Sequence, residues 1–287
     1  MSDGSKIEWT DASWNPVTGC TKVSDGCKHC YAERDWARLA APRSKPNIYT
    51  GRDFTDVRCH PEKLDIPPRW TKPRRIFVNS MSDLFHEDVP HEFIASVFVT
   101  MMLSQQHIFQ ILTKRPKRML ESVQKCGFAA ERMNITWPLP NVWLGVSCED
   151  QATADERIPL LLQTPAAVHF ISAEPLLEQI IIAQYFRHRF AETKKTYAID
   201  WVIAGGESGP RARPSHPVWF RSLRNQCQAG GVPFFFKQWG EWLGYADCRG
   251  SVCGLRVYEA ENVRMYRVGK KSAGRTLDGR TWDEYPA

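Results

Sequence analysis

The chain has 287 residues, 43% of them hydrophobic and 24% charged, with 11 tryptophans and a formal net charge of +6. That composition excludes a disordered polymer, and the length suits one large α/β domain or two ordinary ones. No apolar run approaches the roughly 18 residues of a membrane span, and the opening MSDGSKIEWTDASWNP lacks a basic region followed by an apolar one, so neither a membrane protein nor a secretory leader is expected. Nine cysteines, an odd number, do not make a disulfide scaffold at this length. Reduced thiols in a cytoplasmic setting are the expectation, and a tight group of them then points to metal or redox chemistry.

Such a group comes first in the chain. The segment WNPVTGCTKVSDGCKHCYAERDWA (14–37) places Cys20, Cys27 and Cys30 in a C-x6-C-x2-C arrangement just before a helical stretch. Residues 41–74, rich in proline and basic side chains, follow as a long insertion. From about Arg75 onward, short apolar runs alternate with helical patterns. RIFVNS (75–80) predicts a buried strand and HEFIASVFVTMMLSQQ (91–106) an amphipathic helix. HIFQILT (107–113) predicts the next strand, and the basic run after it opens a helix. NVWLGVS (141–147) is followed by the helical DQATADERIPLLLQ (150–163), and then come strands AVHFISA (167–173) and DWVIAGG (200–206). HPVWFRSLRNQCQAG (216–230) predicts a helix and VPFFFKQW (232–239) a last strand. Apolar strands alternating with helices predict a parallel sheet with right-handed crossovers and a site at the strand ends. Residues 1–243 are expected to form this α/β domain, and 244–287 a small β-rich or irregular appendage.

The strand ends are polar: Ser80-Met81-Ser82-Asp83, Thr113-Lys114-Arg115, Ser147-Cys148-Glu149-Asp150, Glu174, and Gly205-Gly206-Glu207-Ser208. Lys114 and Arg115 open either a solvated helix or a clamp for a carboxylate or phosphate. Ser147 and Glu149 supply either acceptors for a ribose hydroxyl or a turn with a helix cap. A carboxylate such as Glu174 or Glu207 at the end of an apolar strand is costly unless functional or paired, and Arg211 and Arg213 are candidate partners. Cys126, Cys227, Cys248 and Cys253 are expected to be packing thiols.

Thiolates suit soft metals and iron–sulfur clusters. Three ligands on one loop hold three irons of a cubane and leave the fourth open, whereas structural zinc wants four protein ligands. A zinc site completed by Cys59 or His60, in a nucleic-acid-binding protein without catalysis, is the alternative. The three-cysteine segment resembles the signature of the radical S-adenosylmethionine superfamily, with a longer first spacing. KIEWTDASWNPVTGC, CYAE, SMSDLFH, ILTKRP, VWLGVS and GGESG together resemble a phage- and bacteria-associated family of radical-S-adenosylmethionine-like proteins without a settled function.

That resemblance, over residues 5–245, implies a partial (β/α)6 TIM-type barrel, with a [4Fe–4S] cluster on Cys20, Cys27 and Cys30 and S-adenosylmethionine at its open iron. It places His29 or Tyr31 beside the adenine, and Ser80, Ser82 and Asp83 near the methionine amino group. Lys114, Ser147, Glu149 and Glu174 complete the candidate cofactor-binding residues, and Cys148 is a candidate hydrogen-atom donor to a substrate radical. An external electron donor of flavodoxin or ferredoxin type is implied. The net charge and the stretches RWTKPRR (69–75) and KRPKR (114–118) favour a nucleic-acid substrate, for base repair or modification.

Overall fold

The structure is a computed structural model that describes residues 5, 7–42, 44–186, 188–189, 196–248, 256–260 and 263–287. Cys253 lies outside them. The chain divides into two compact units, Met1–Val146 with Pro159–His169, and Ser147–Ile158 with Phe170–Ala287. The fold class is α/β. In the first unit, strands β1 (Ala12–Trp14), β2 (Arg75–Val78), β3 (Ile108–Thr113) and β4 (Val142–Ser147) are parallel neighbours in chain order. Helix α1 (Tyr31–Ala40) follows the cysteine loop, α2 (His91–Met102) joins β2 to β3, and α3 (Pro116–Arg132) joins β3 to β4. Aligned partners share a sheet face. Ile76, Phe109 and Val142, then Val78, Ile111 and Leu144, form rows almost wholly removed from water. The opposite face carries Phe77, Gln110 and Trp143.

The insertion is tied down rather than loose. Val17–Thr18 pairs with Arg58–Cys59 in a short antiparallel ladder. Trp36 of α1 is buried with Ala32 and Met81, and Tyr49 and Phe54 of the insertion stand edge-on against it at 5.0 and 5.4 Å. The Trp36 indole donates to the Arg52 carbonyl at 2.7 Å. Aromatic burial thus fixes the helix behind the cysteine loop.

Helix α4 (Gln151–Gln163) precedes β5 (Val168–Ala173) in the chain. In the second unit, β5, β6 (Trp201–Gly205) and β7 (Phe234–Gln238) are parallel neighbours, and α5 (Pro217–Gly230) joins β6 to β7. Phe220 of α5 packs on Phe236 at 5.2 Å, so α5 covers that face. The other face bears Phe170, Trp201 and Phe235, with Trp201 in ring contact with both, and Ser172 further along β5; Glu174 follows just past the strand end. Beyond β7, strands β8 (Trp242–Gly244), β9 (Val257–Ala260) and β10 (Val263–Arg267) form an antiparallel sheet ordered β8-β10-β9. The last segment returns to β7: Phe236 N–H donates to the Trp282 carbonyl, and Asp283 bridges Phe235 antiparallel. It covers what would otherwise be an open row of donors and acceptors on β7. Among the described residues no helix is long and apolar enough to cross a membrane.

Candidate functional site

The cysteine loop leaves the end of β1 through a turn that only glycine fits. Gly19 has φ +91°, and a Cβ there would stand 2.4 Å from the Asp56 carbonyl oxygen. Its N–H donates to the Met81 carbonyl at 3.3 Å, and the next N–H, of Cys20, to the Phe54 carbonyl at 2.9 Å. Cys20 is thus held between the insertion and the strand end after β2. That strand end is braced from below. Asn79, left-handed at φ 63°, accepts from Val17 N–H, while Asn15 Oδ1 accepts from Ser80 Oγ and Met81 N–H at 3.2 Å each. Ser82 Oγ donates to the Val17 carbonyl at 2.8 Å. At the other end of the loop, Cys30 caps α1 and the Tyr31 hydroxyl donates to the Ser80 carbonyl at 2.5 Å.

All three thiols are free and half-buried. Burial, and then the Asp83 carboxylate, push the Cys20 thiol up to about 12, with Arg115 partly offsetting them. Burial raises Cys30, offset by backbone N–H groups and by the charge of Lys114. Cys27 lies close enough to raise both. Among the described residues no three His, Cys, Asp or Glu side chains converge as a single metal ion would require. The donor set itself is soft sulfur with two cations nearby, and it fits an iron–sulfur cluster, whose thiolates need deprotonation and charge compensation. His60, a candidate zinc ligand, is spoken for on both ring nitrogens: Nε2 meets Thr18 Oγ1 at 2.8 Å, and Nδ1 lies 3.2 Å from Glu62.

Behind Cys20 lies a polar network centred on the buried Arg115, with Asp83 buried beside it and Glu87 at the surface. Its Nε donates to both oxygens of Glu87 at 3.1 and 2.9 Å. Nη1 lies 3.4 Å from Asp83 Oδ2 and 3.7 Å from Cys20 Sγ, and Nη2 donates to the Thr21 hydroxyl and carbonyl at 2.8 and 3.2 Å. Asp83 is fully engaged, accepting from Phe85 N–H, Lys114 N–H, Arg115 and the Thr113 hydroxyl, which reaches both its oxygens. His86 Nδ1 accepts from Asp88 N–H, which leaves Nε2 to carry the proton toward Thr21 Oγ1 at 2.8 Å.

Several expectations change in this light. Arg115 is no free clamp for a substrate phosphate, because every arm of its fork is occupied. Arg118 donates to the His86 and Val89 carbonyls, so it too is spent on the protein's own acceptors. Asp83 supports Arg115 and the Thr113–Lys114 turn rather than presenting an empty carboxylate. His29 is half-buried on the loop between Cys27 and Cys30.

In the second unit the strand-end carboxylates are paired one to one. Glu149 is wholly buried and accepts from Arg157 Nη1 at 2.8 Å; the same nitrogen donates to the Ser147 carbonyl at 2.8 Å. Glu207 takes both Nε and Nη2 of Arg213, as well as its backbone N–H. Glu174 reaches over Gly205 to Lys237, whose Nζ lies 3.1 and 3.3 Å from its two oxygens; a Cβ on Gly205 would stand 2.4 Å from Glu174 Oε1. Cys148 is fully buried. Cys126 and Cys227, both raised by burial, behave as packing thiols.

Sequence reasoning did not single out Lys237, Arg157 or His86. Their partners lie 63, 8 and 65 residues away. Only the unexplained carboxylates at the strand ends signalled that cations had to exist. A family model described as "Protein of unknown function (DUF5131)" matches residues 4–286, and the chain belongs to that family. No curated protein and no solved structure matches it.

Proposed function

We propose that this DUF5131 protein is a radical S-adenosylmethionine enzyme. The observation that carries the reading is the anchoring of three free thiols on one glycine-turned loop beside the Ser80–Asp83 strand end, with Arg115 fixed behind the first of them. Cys20, Cys27 and Cys30 would hold a [4Fe–4S] cluster. When bound, the cluster and S-adenosylmethionine supply an electron and a 5′-deoxyadenosyl radical that abstracts hydrogen from a substrate. The chain's own work is to hold the thiolates apart at fixed geometry, to offset their charge with Arg115 and Lys114, and to present backbone carbonyls at Ser80–Ser82 to an ammonium group. Tyr31, half-exposed and anchored to Ser80, is placed to pack against a purine. A partial (β/α)6 barrel belongs to this reading; strands that follow chain order in both units support it.

For a substrate we favour a nucleic acid, on the net charge of +6 and on Lys114, whose charge reaches the Cys30 thiol. A small one-electron carrier of the flavodoxin or ferredoxin type would supply reducing equivalents in the cytoplasm. The test is anaerobic reconstitution of the full chain. About four irons per chain are expected, along with 5′-deoxyadenosine on addition of dithionite and S-adenosylmethionine. Both should disappear when Cys20, Cys27 and Cys30 are replaced together by alanine. A colourless protein that carries zinc, or a full cluster in the triple variant, sinks the reading.

A further inference from the structure

Arg115 is in contact with a loop thiol, and every arm of its fork is fixed. Its side chain is 5% exposed, and its guanidinium joins Glu87, Asp83 and both polar atoms of Thr21 while Nη1 lies 3.7 Å from Cys20 Sγ. The geometry resembles a bracket more than an ion pair. Thr113 Oγ1 accepts the Arg115 N–H at 2.9 Å and fixes the backbone. Glu87 holds one edge of the fork and Thr21 the other, so the nitrogen facing sulfur cannot swing away. Asp83 acts against Arg115 at the Cys20 thiol, so what Arg115 contributes there is the local effect of Nη1 beside the sulfur. A surface salt bridge at this position would need neither Asp83 nor the thiol.

A buried positive charge and an N–H donor directed at one cluster sulfur both favour the state that carries one more electron. We propose that Arg115 is a positioning residue that sets the reduction potential of a cluster held at Cys20, raising it into reach of a biological one-electron donor. This inference rests on the iron–sulfur reading above. Thr21 and Glu87 matter here by aiming the fork, and His86 by holding Thr21.

The experiment is a potentiometric titration of the reconstituted full chain, followed by electron paramagnetic resonance, with iron counted in the same samples. Wild type is compared with Arg115→Gln, which removes the charge, and Arg115→Lys, which keeps it without the fork. With iron content unchanged, the midpoint is expected to shift to more negative potential in Arg115→Gln, with Arg115→Lys lying between. Equal midpoints in fully loaded wild type and Arg115→Gln overturn the role of Arg115 and leave the radical reading standing. Should Arg115→Gln fail to load, Arg115→Lys decides: a loaded Lys variant titrating below wild type supports the inference, and one titrating with wild type overturns it. Loading by neither variant makes Arg115 a folding residue and also overturns it. No iron in the wild type itself overturns the proposed function first.

Discussion

The strand ends of the two units solve the same electrostatic problem differently. In the second unit each buried carboxylate has its own cation: Glu149 with Arg157, Glu207 with Arg213, Glu174 with Lys237. In the first unit two carboxylates, Asp83 and Glu87, share a single arginine that also touches a free thiol and the backbone of the cysteine loop. One-to-one pairs of this kind hold a fold together. A shared network around a thiol fixes that thiol in place. Position at a strand end therefore does not by itself mark a catalytic residue; what matters is whether the partners are spent on one another.

The largest expected effect tests the closed pairs. Glu149 and Arg157 are 0% and 3% exposed at the side chain. Truncating one partner of such a pair strands the other charge away from water, at a cost of about 3–5 kcal/mol. Glu149→Ala should lower the urea midpoint accordingly while leaving iron uptake by any chain that still folds unchanged. A small loss of stability, or a selective loss of iron, would erase the distinction between the two units.

An intermediate effect tests the shared network. The Thr113 hydroxyl donates to both Asp83 oxygens at 2.8 and 2.9 Å and accepts the Arg115 N–H. Thr113→Val keeps the shape and removes all three, leaving a buried carboxylate and an amide short of partners. The expected cost is about 1–3 kcal/mol by urea denaturation. A change no larger than that of an exposed substitution would mean that Arg115 and the N–H groups of Phe85 and Lys114 hold Asp83 without the hydroxyl.

The two units also differ in how much the sequence disclosed. The strands over 75–78, 108–113, 142–147, 168–173, 201–205 and 234–238, and the helices 91–102, 151–163 and 217–230, all fall inside the runs their periodicity predicts. Buried parallel strands and their helices write the pattern into neighbouring residues, so it is legible locally. The cysteine loop was legible for the same reason, because its three thiols lie within eleven positions. Glu207 with Arg213 was anticipated, being six residues apart. The bracket around Arg115 was not, since Glu87, Asp83, Thr21 and Cys20 meet it only through the fold. The basic run at 114–118 looked like one charged surface, yet its two arginines point into the protein's own acceptors. Likewise residues 41–74 read only as a long insertion, because the Trp36 contacts that seat Tyr49 and Phe54 carry no periodicity.

The smallest expected effect concerns acid, and it separates the units by their histidines. In the first unit His60, His86 and His107 are buried, and each is held below its ordinary value. Burial is the leading cause in all three; Lys63 adds to it at His60, and Arg115 at His86. In the unfolded chain these rings titrate near about 6.5. Below that pH the unfolded chain binds protons that the folded chain refuses, so stability falls as the pH drops, and above it these groups contribute no slope. The lowered carboxylates, Asp11, Asp56 and Glu87, act in the same direction but in a separate window, because their ordinary values lie near 4 and their contribution is lost only further down. Between pH 7 and pH 5.5 the decline should therefore belong to the histidines. Hydrogen exchange resolved by peptide should show protection lost around residues 18–21, 60–67 and 83–88 before the Glu149–Arg157 region opens. His86→Gln keeps a donor for Thr21 without a titrating ring and should flatten the decline while the neutral-pH midpoint stays close to wild type. A stability profile level from pH 7 to pH 5.5 would mean that these rings can take up protons in place, and that the network behind Cys20 is wetter than its burial implies.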